Sequence, residues 1–317
     1  SIKINNTNYL FFDLFIINNL LYVIQPYYKN FDPPFFITVN NVKIKINKII
    51  KNVKYEPYKI LVFNIPNKLF DLKNYDLIIH YKKNKIFKNI QVIKENKEKN
   101  KLSLSTLCKN DLYLLPLFVE YYKKHGIENF YIYINKKINY NILQILNSIV
   151  YQFPEINLHF IEWNIEYFVN NKHHAQPSQI HHSIYFFGKP YNEYMLFCDL
   201  DEYFFLENIS LKQLIINNPL VDTFAFKNIW SKTLDRKIPK QFPSKFYCTK
   251  KYLPYSNRSK CIHKLKNIEN INIHYHDNYL IENPIIDKKN FFFHFFHFSQ
   301  PSRVINEDYF LMELPIT

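Results

Sequence analysis

Asp199, Asp201 and Glu202 are the residues of this chain best suited to do chemistry. They end an apolar run, Phe197-Cys198-Asp199-Leu200-Asp201-Glu202-Tyr203-Phe204. In an extended chain residues i and i+2 point the same way, so the two aspartates are expected to project together from the end of a strand over 194–198. Side-by-side carboxylates repel, and burying them is costly unless a cation lies between them. A hard divalent ion such as Mn²⁺ or Mg²⁺ takes oxygen ligands and also holds phosphate oxygens. Asp-x-Asp at a strand end therefore points to a metal–diphosphate site, though short acidic clusters also occur in solvated loops.

Composition narrows how a phosphate could be held. The 317 residues include only two glycines, Gly126 and Gly188, so neither G-x-G-x-x-G nor a Walker loop can be built. A diphosphate must then be gripped by a metal or by side chains. Hydrophobic residues make up 47% of the chain, enough for a substantial core. The formal net charge is +14, which favours anionic partners. The lysines are spread out, however, and the densest block, Lys94–Lys101, is mixed in sign and reads as a solvated linker. With no zinc finger, RNP-like segment or basic helix, nucleic acid is not an expected partner.

The four cysteines show no C-x-x-C spacing, so no structural zinc site is expected. Cys108 and Cys198 read as buried thiols, while Cys248 and Cys261 could pair in an oxidising compartment or stay free. His173-His174 and His181-His182 are neighbours in pairs, which does not make a tetrahedral metal set. Three sequons, at Asn5, Asn208 and Asn257, are expected by chance in so Asn-rich a chain. No apolar run reaches the length of a membrane span and no signal peptide is visible. Membrane attachment is expected, if at all, through a segment outside this sequence. Usage skewed to Asn, Ile, Lys, Tyr and Phe is that of an AT-rich genome.

The elements that must position the carboxylates follow from periodicity. Residues 1–98 are expected to form an N-terminal antiparallel β domain, a sheet or sandwich, from short runs at 35–39, 42–46, 59–63, 76–81 and 86–93. Residues 99–317 change character. Strand-like runs at 102–107, 130–134, 156–161 and 194–198 alternate with helical patterns at 112–125, 140–151 and 176–187. Pro116 is tolerated only in a first turn, so the first helix is expected to start near Leu115, and Gly126 stands at its natural stop. Alternation of this kind predicts an α/β domain with a largely parallel, Rossmann-like sheet. Such sheets bind ligands at the carboxyl ends of their strands, where Asp199 and Asp201 fall.

These residues resemble glycosyltransferase family 92, once called domain of unknown function 23, over roughly residues 102–310. The resemblance is carried by Cys108-Lys109-Asn110-Asp111, by Tyr121–Ile127 with Gly126, by Phe130-Tyr131-Ile132-Tyr133 and by Gln176 upstream of the metal motif. It continues through Asp199-Leu200-Asp201-Glu202-Tyr203, then Arg258-Ser259-Lys260-Cys261-Ile262 with His274 beyond it. A late His-Tyr-x-x-x-Ser element of the family fits in two registers, His294-Phe295…Ser299 and His297-Phe298…Ser302. The resemblance implies a GT-A fold behind an N-terminal β domain, a nucleotide-sugar donor and a divalent metal bridging the diphosphate to Asp-x-Asp. Relatives are often inverting galactosyltransferases. Three departures stand out: Asp111 in place of Glu, Leu117 in place of an acidic residue, and Ile229-Trp230-Ser231-Lys232 where a glycine-containing acceptor loop is expected.

On that resemblance Asp201 is the direct metal ligand and Asp199 touches the metal or the ribose. His297, or else His294, supplies the third ligand. Lys109, Arg258 and Lys260 are candidate phosphate partners, and Asn110, Asp111, Gln176 and His274 face the nucleotide. Tyr133 stacks on the base or belongs to the core, and Glu202 orients basic neighbours or the sugar. An inverting transfer needs a carboxylate base; Asp235 is the candidate, in competition with Asp277, Glu282 and Glu307. The donor is expected to be a UDP-sugar with Mn²⁺ or Mg²⁺, and the acceptor a glycan or glycoprotein. A glycan-binding module without activity and a metal-dependent nucleotidyl or phosphoryl transferase fit the same carboxylates. The sequence leaves the location unknown, between a Golgi-like secretory compartment and, for a viral chain, the host cytoplasm.

Overall fold

In the computed structural model the described residues are 1–3, 9–26, 35–52, 58–70, 76–87, 90–169, 172–206, 208–250, 259–271, 291–305 and 307–314. The chain divides into two units, Ser1–Lys99 with Ile165–Tyr191, and Asn100–Asn164 with Asn192–Thr317. The sequence places the division at 98/99; the units part at Lys99/Asn100, and the first also takes in the later segment Ile165–Tyr191.

The second unit carries the carboxylates. Its elements are β1 (Asn100–Cys108), α1 (Leu115–Lys124), β2 (Asn129–Ile134), α2 (Tyr140–Gln152), β3 (Asn157–Glu162) and β4 (Asn192–Phe197). They are followed by β5 (Glu202–Phe205), α3 (Leu211–Asn217), β6 (Thr223–Lys232), β7 (Lys245–Thr249), β8 (Lys260–Lys264), β9 (Phe291–His294), α4 (Phe296–Ser299) and β10 (Tyr309–Glu313). Strands β3, β2, β1 and β4 lie side by side and all parallel, with Leu104 opposite both Phe130 and Leu196. Parallel neighbours need crossover connections, which α1 and α2 supply. Beyond β4 the path β8-β6-β7-β10 is antiparallel, so the sheet is parallel in one half and mixed in the other. Off this path, β9 pairs antiparallel with β5 and parallel with the end of β6.

Local sequence explains the parallel half. Pro116 sits in the first turn of α1, and Leu115, Phe118, Val119 and Tyr122 are buried on one face. α1 ends where Gly126 adopts φ +80°. Gly126 N–H donates to the Lys123 carbonyl at 2.9 Å and Ile127 N–H to the Tyr122 carbonyl at 3.2 Å, the paired bonds of a glycine C-cap. Asn139 caps α2 by accepting the Ile142 N–H at 3.0 Å, and Ser210 with Gln213 forms a capping box on α3. The core between helices and sheet is strongly aromatic; Phe204 packs edge-on to Phe226 and stacks on Phe292.

The first unit is built on two sheets. One orders the strands Val92–Ile93, Asp13–Ile17, Leu20–Pro26, Tyr58–Asn64 and Ile46–Asn52; the other orders Asn84–Phe87, Leu77–Tyr81, Phe35–Val39 and Val42–Lys43. Pairing is antiparallel apart from the short parallel contact of Val92–Ile93. Leu14, Ile16, Leu21 and Val23 of one sheet share a buried core with Ile37, Val39, Leu77 and Ile79 of the other, a sandwich. The added segment contributes the helix Ala175–His182, continued by a π-helical turn over Ser183–Gly188. His181 Nε2 meets the Tyr58 hydroxyl at 2.7 Å and His182 Nε2 meets Asp13 Oδ2 at 3.1 Å. Both adjacent histidines are thus tied into this unit, and His181 Nδ1 also meets the Pro177 carbonyl at 2.7 Å.

Candidate active site

β1 and β4 are neighbouring parallel strands, and the segments leaving their carboxyl ends carry Asp111 and Asp199. Asp199 and Asp201 do not lie on a continuous strand. β4 ends at Phe197 and the chain turns, with Glu202 N–H donating to the Asp199 carbonyl at 3.1 Å. The expected i, i+2 alternation is therefore replaced by a turn. Glu202 opens β5 opposite His294 of β9, and Phe295 N–H donates to the Asp201 carbonyl at 2.8 Å.

This register brings distant side chains together. His294 Nε2 lies 3.4 Å from Asp201 Oδ1 and the Ser299 hydroxyl donates to Asp201 Oδ2 at 2.5 Å. Of the two registers open to the late His-aromatic-x-x-x-Ser element, His294…Ser299 is the one whose residues both meet Asp201. His297 instead contacts the Thr233 hydroxyl through Nε2 at 3.0 Å. Lys260 Nζ stands 3.1 Å from Asp199 Oδ2 and 3.1 Å from Glu202 Oε2, and Glu202 Oε2 also accepts the Asp199 N–H at 2.8 Å.

Burial and charge oppose each other here. Burial acts to raise Asp201, but His294, the Ser299 hydroxyl and Lys260 outweigh it and hold the carboxyl below its usual value. Burial likewise pulls His294 down, yet Asp201 and Glu202 leave it raised, so the imidazolium is favoured. Burial pushes Glu202 up to about 7 against the pull of Lys260. Lys260 is held above its ordinary value, since Asp199 and Glu202 overcome its burial. Asp111 is raised by burial and further by the charges of Asp201 and Asp199, so all three carboxyls share one field. His297 is lowered by burial to about 4.

Other candidates are placed differently. Lys109 and Asn110 are exposed after β1, and the Lys109 N–H donates to Asp111 Oδ1 at 2.8 Å. Tyr133 is fully buried with its ring edge-on to Trp163 at 5.4 Å, inside the domain core. Gln176 belongs to the first unit and accepts the Tyr167 hydroxyl at 2.9 Å. Asp235 is exposed in a turn and accepts the Lys237 N–H at 3.0 Å. Arg258, His274, Asp277 and Glu282 lie outside the described residues. Three residues not proposed from sequence for this region take part in it. Thr233 holds His297, the Tyr113 hydroxyl donates to the Phe298 carbonyl at 2.6 Å, and the Tyr122 hydroxyl donates to the Glu202 carbonyl at 2.8 Å. Their partners are 64, 185 and 80 residues away, beyond the reach of any local pattern.

The donor set suits a hard cation, with limits. Among the described residues no three His, Cys, Asp or Glu side chains are grouped so as to hold a metal by themselves. Lys260 and His294 stand against Asp199, Asp201 and Glu202, while Asp111 is raised further by the charges of Asp201 and Asp199. Carboxylate oxygens that repel one another in one field fit a divalent ion whose remaining positions come from phosphate oxygens and water.

A cluster at the carboxyl ends of parallel strands is where α/β enzymes bind their ligands. The model of glycosyltransferase family 92 matches residues 104–313, well over half of the chain. The chain belongs to glycosyltransferase family 92, and its α/β domain behind a β unit is the fold class expected of it. Among solved structures it is similar to the S. aureus TarS fragment 1–349, at 15% identity and a TM-score of 0.38, covering 62% of this chain and 61% of that one. It is also similar to the bifunctional glycosyltransferase WbbM in its apo form, at 13% identity and a TM-score of 0.31, covering 60% of this chain and 35% of that one. The chain thus spans about a third of WbbM and about three fifths of the TarS fragment. No curated protein matches it.

Proposed function

We propose that the chain is an active, metal-dependent glycosyltransferase that takes a UDP-sugar, with galactose as the leading sugar. It transfers the sugar with inversion to a hydroxyl of a glycan or glycoprotein. The observation that carries this reading is the gathering of Asp111, Asp199 and Asp201 at the carboxyl edge of β1 and β4, where the charges of Asp201 and Asp199 raise Asp111. A divalent ion, when bound, offsets the negative charge that builds on the departing diphosphate. Asp201, braced by Ser299 and His294 and held below its usual pKa, would supply an ionised carboxylate to such an ion. On this geometry His294, ahead of His297, would be the imidazole of the metal site once an incoming ion displaces its proton. Asp111 and the exposed Asn110 and Lys109 border the nucleotide. Asp235 stays the candidate base for the acceptor hydroxyl, in the turn beyond Trp230 and Thr233.

The test is a panel of nucleotide sugars with Mn²⁺ and with EDTA, scored for UDP release and for transfer to glycan acceptors. Transfer that needs metal and disappears in Asp201→Asn, with unfolding temperature retained, is the expected result. Neither turnover nor saturable metal-dependent UDP binding would overturn the reading. Release of pyrophosphate in place of UDP would identify a nucleotidyl transferase instead.

A further inference from the structure

We propose that Lys260 is a positioning residue that fixes Asp199, and not a ligand of the donor diphosphate. The inference rests on the UDP-sugar reading for what Asp199 is positioned to do, but its geometry stands apart from it. Lys260 opens β8, the strand next to β4, and its side chain is only 2% exposed. Two of its three ammonium donors meet Asp199 Oδ2 and Glu202 Oε2, both at 3.1 Å.

The same Glu202 oxygen accepts the Asp199 main-chain N–H at 2.8 Å. Asp199 is therefore referenced twice to one buried pair, through its backbone by Glu202 and through its carboxylate by Lys260. The Glu202 side chain is 3% exposed, whereas that of Asp199 is 39% exposed. The pair is closed off on the protein side while the aspartate it braces faces outward. An ammonium reaching for a diphosphate would have to leave Glu202, whose buried carboxyl would exchange a partner at 3.1 Å for the longer approach of His294 at 3.9 Å. The arrangement works as a support behind a ligand, the kind of outer contact that orients a metal-binding carboxylate.

Two measurements test this. The native chain is treated with an amine-acetylating ester and mapped by mass spectrometry, with and without Mn²⁺ and UDP. Lys260 is expected to stay unmodified in both states while exposed Lys109 reacts. Labelling of Lys260 in the free chain that Mn²⁺–UDP suppresses would overturn the proposal.

The second measurement uses Lys260→Met and the charge-neutral double variant Glu202→Gln/Lys260→Met. Mn²⁺ binding is followed by electron paramagnetic resonance, and UDP binding by calorimetry with and without metal. The double variant is expected to regain the unfolding temperature lost in Lys260→Met. Its Mn²⁺ affinity in the presence of UDP is nevertheless expected to fall by about tenfold or more, with metal-free UDP binding unchanged. Loss of metal-free UDP binding with Mn²⁺ affinity intact would show a phosphate ligand and sink the proposal. A wild-type chain that binds neither Mn²⁺ nor UDP would sink the donor reading instead, and the labelling result would still decide where Lys260 stands.

Discussion

The hydroxyl of Ser299 donates to Asp201 Oδ2 across 98 residues of sequence. The other oxygen of that carboxylate faces His294, and the Asp201 carbonyl accepts the Phe295 N–H. One late segment, β9 with α4, therefore holds Asp201 through its backbone and both of its side-chain oxygens. Ser299→Ala removes one bond to a charged group, worth roughly 1.5–3 kcal/mol. Transfer activity at saturating donor should fall by about tenfold, since 1.4 kcal/mol is a factor of ten. The unfolding temperature should change little, because the serine is exposed and water can take its place beside Asp201. Full activity in this variant at limiting Mn²⁺ would show that Asp201 needs no such brace.

The Tyr122 hydroxyl fixes the start of β5 by donating to the Glu202 carbonyl at 2.8 Å and accepting the Phe204 N–H at 3.3 Å. The tyrosine ring is fully buried, so Tyr122→Phe leaves two buried main-chain groups without this partner. A loss of about 1–3 kcal/mol in stability is expected for each such unsatisfied group. Urea unfolding measures it directly. An unchanged midpoint would mean that water or backbone shifts replace the hydroxyl.

Much of this arrangement was legible in the residues themselves. Pro116 and Gly126 bracket α1 because each has a backbone preference that only a first turn or a C-cap satisfies. The runs that became β2 and β4 announce themselves as buried parallel strands by near-continuous apolar content, whereas β1 alternates leucine with serine and β3 is half exposed. The register of the late His-aromatic element was not legible, because His294 and His297 stand three residues apart in an equally aromatic run. Only the pairing of β9 with β5, which sets His294 opposite Glu202, selects one of them. The burial of Lys260 was equally hidden, since its partners lie about sixty residues upstream and a lone lysine reads as surface charge. The grouping of Ile165–Tyr191 with the first unit depends on contacts such as His182–Asp13, 169 residues apart, which no local periodicity encodes.

Gly126 is the residue whose replacement should damage α1 most directly. Its φ of +80° is a conformation that side-chain-bearing residues rarely adopt. An added Cβ would also meet Lys212 Cβ at 2.9 Å, on the first turn of α3. Gly126→Ala should cost roughly 1 kcal/mol for the backbone conformation and more for the contact with Lys212. Lys212→Gly in the same background should recover only the steric part. Stability of Gly126→Ala equal to wild type in urea unfolding would contradict both the C-cap and the contact.

His263 gives the chain a defined response to acid. It is 4% exposed on β8, its Nδ1 lies 3.0 Å from the Thr223 hydroxyl, and burial lowers its pKa to about 3. An unfolded histidine titrates near 6.5. Between these values the unfolded chain binds a proton that the folded chain refuses, so stability falls as pH drops from about 6.5 and levels off near 3. His125 and His181, both lowered to about 4 by burial, act in the same direction. Glu202, raised to about 7, acts in the opposite direction, because its folded form holds a proton that the unfolded form releases. The whole-chain profile therefore mixes signs, and a difference between variants isolates the histidine. His263→Gln should remove up to about 1.4 kcal/mol per pH unit from the slope of stability between pH 6 and 4. Parallel profiles for wild type and His263→Gln over that interval would mean that His263 is protonated inside the fold.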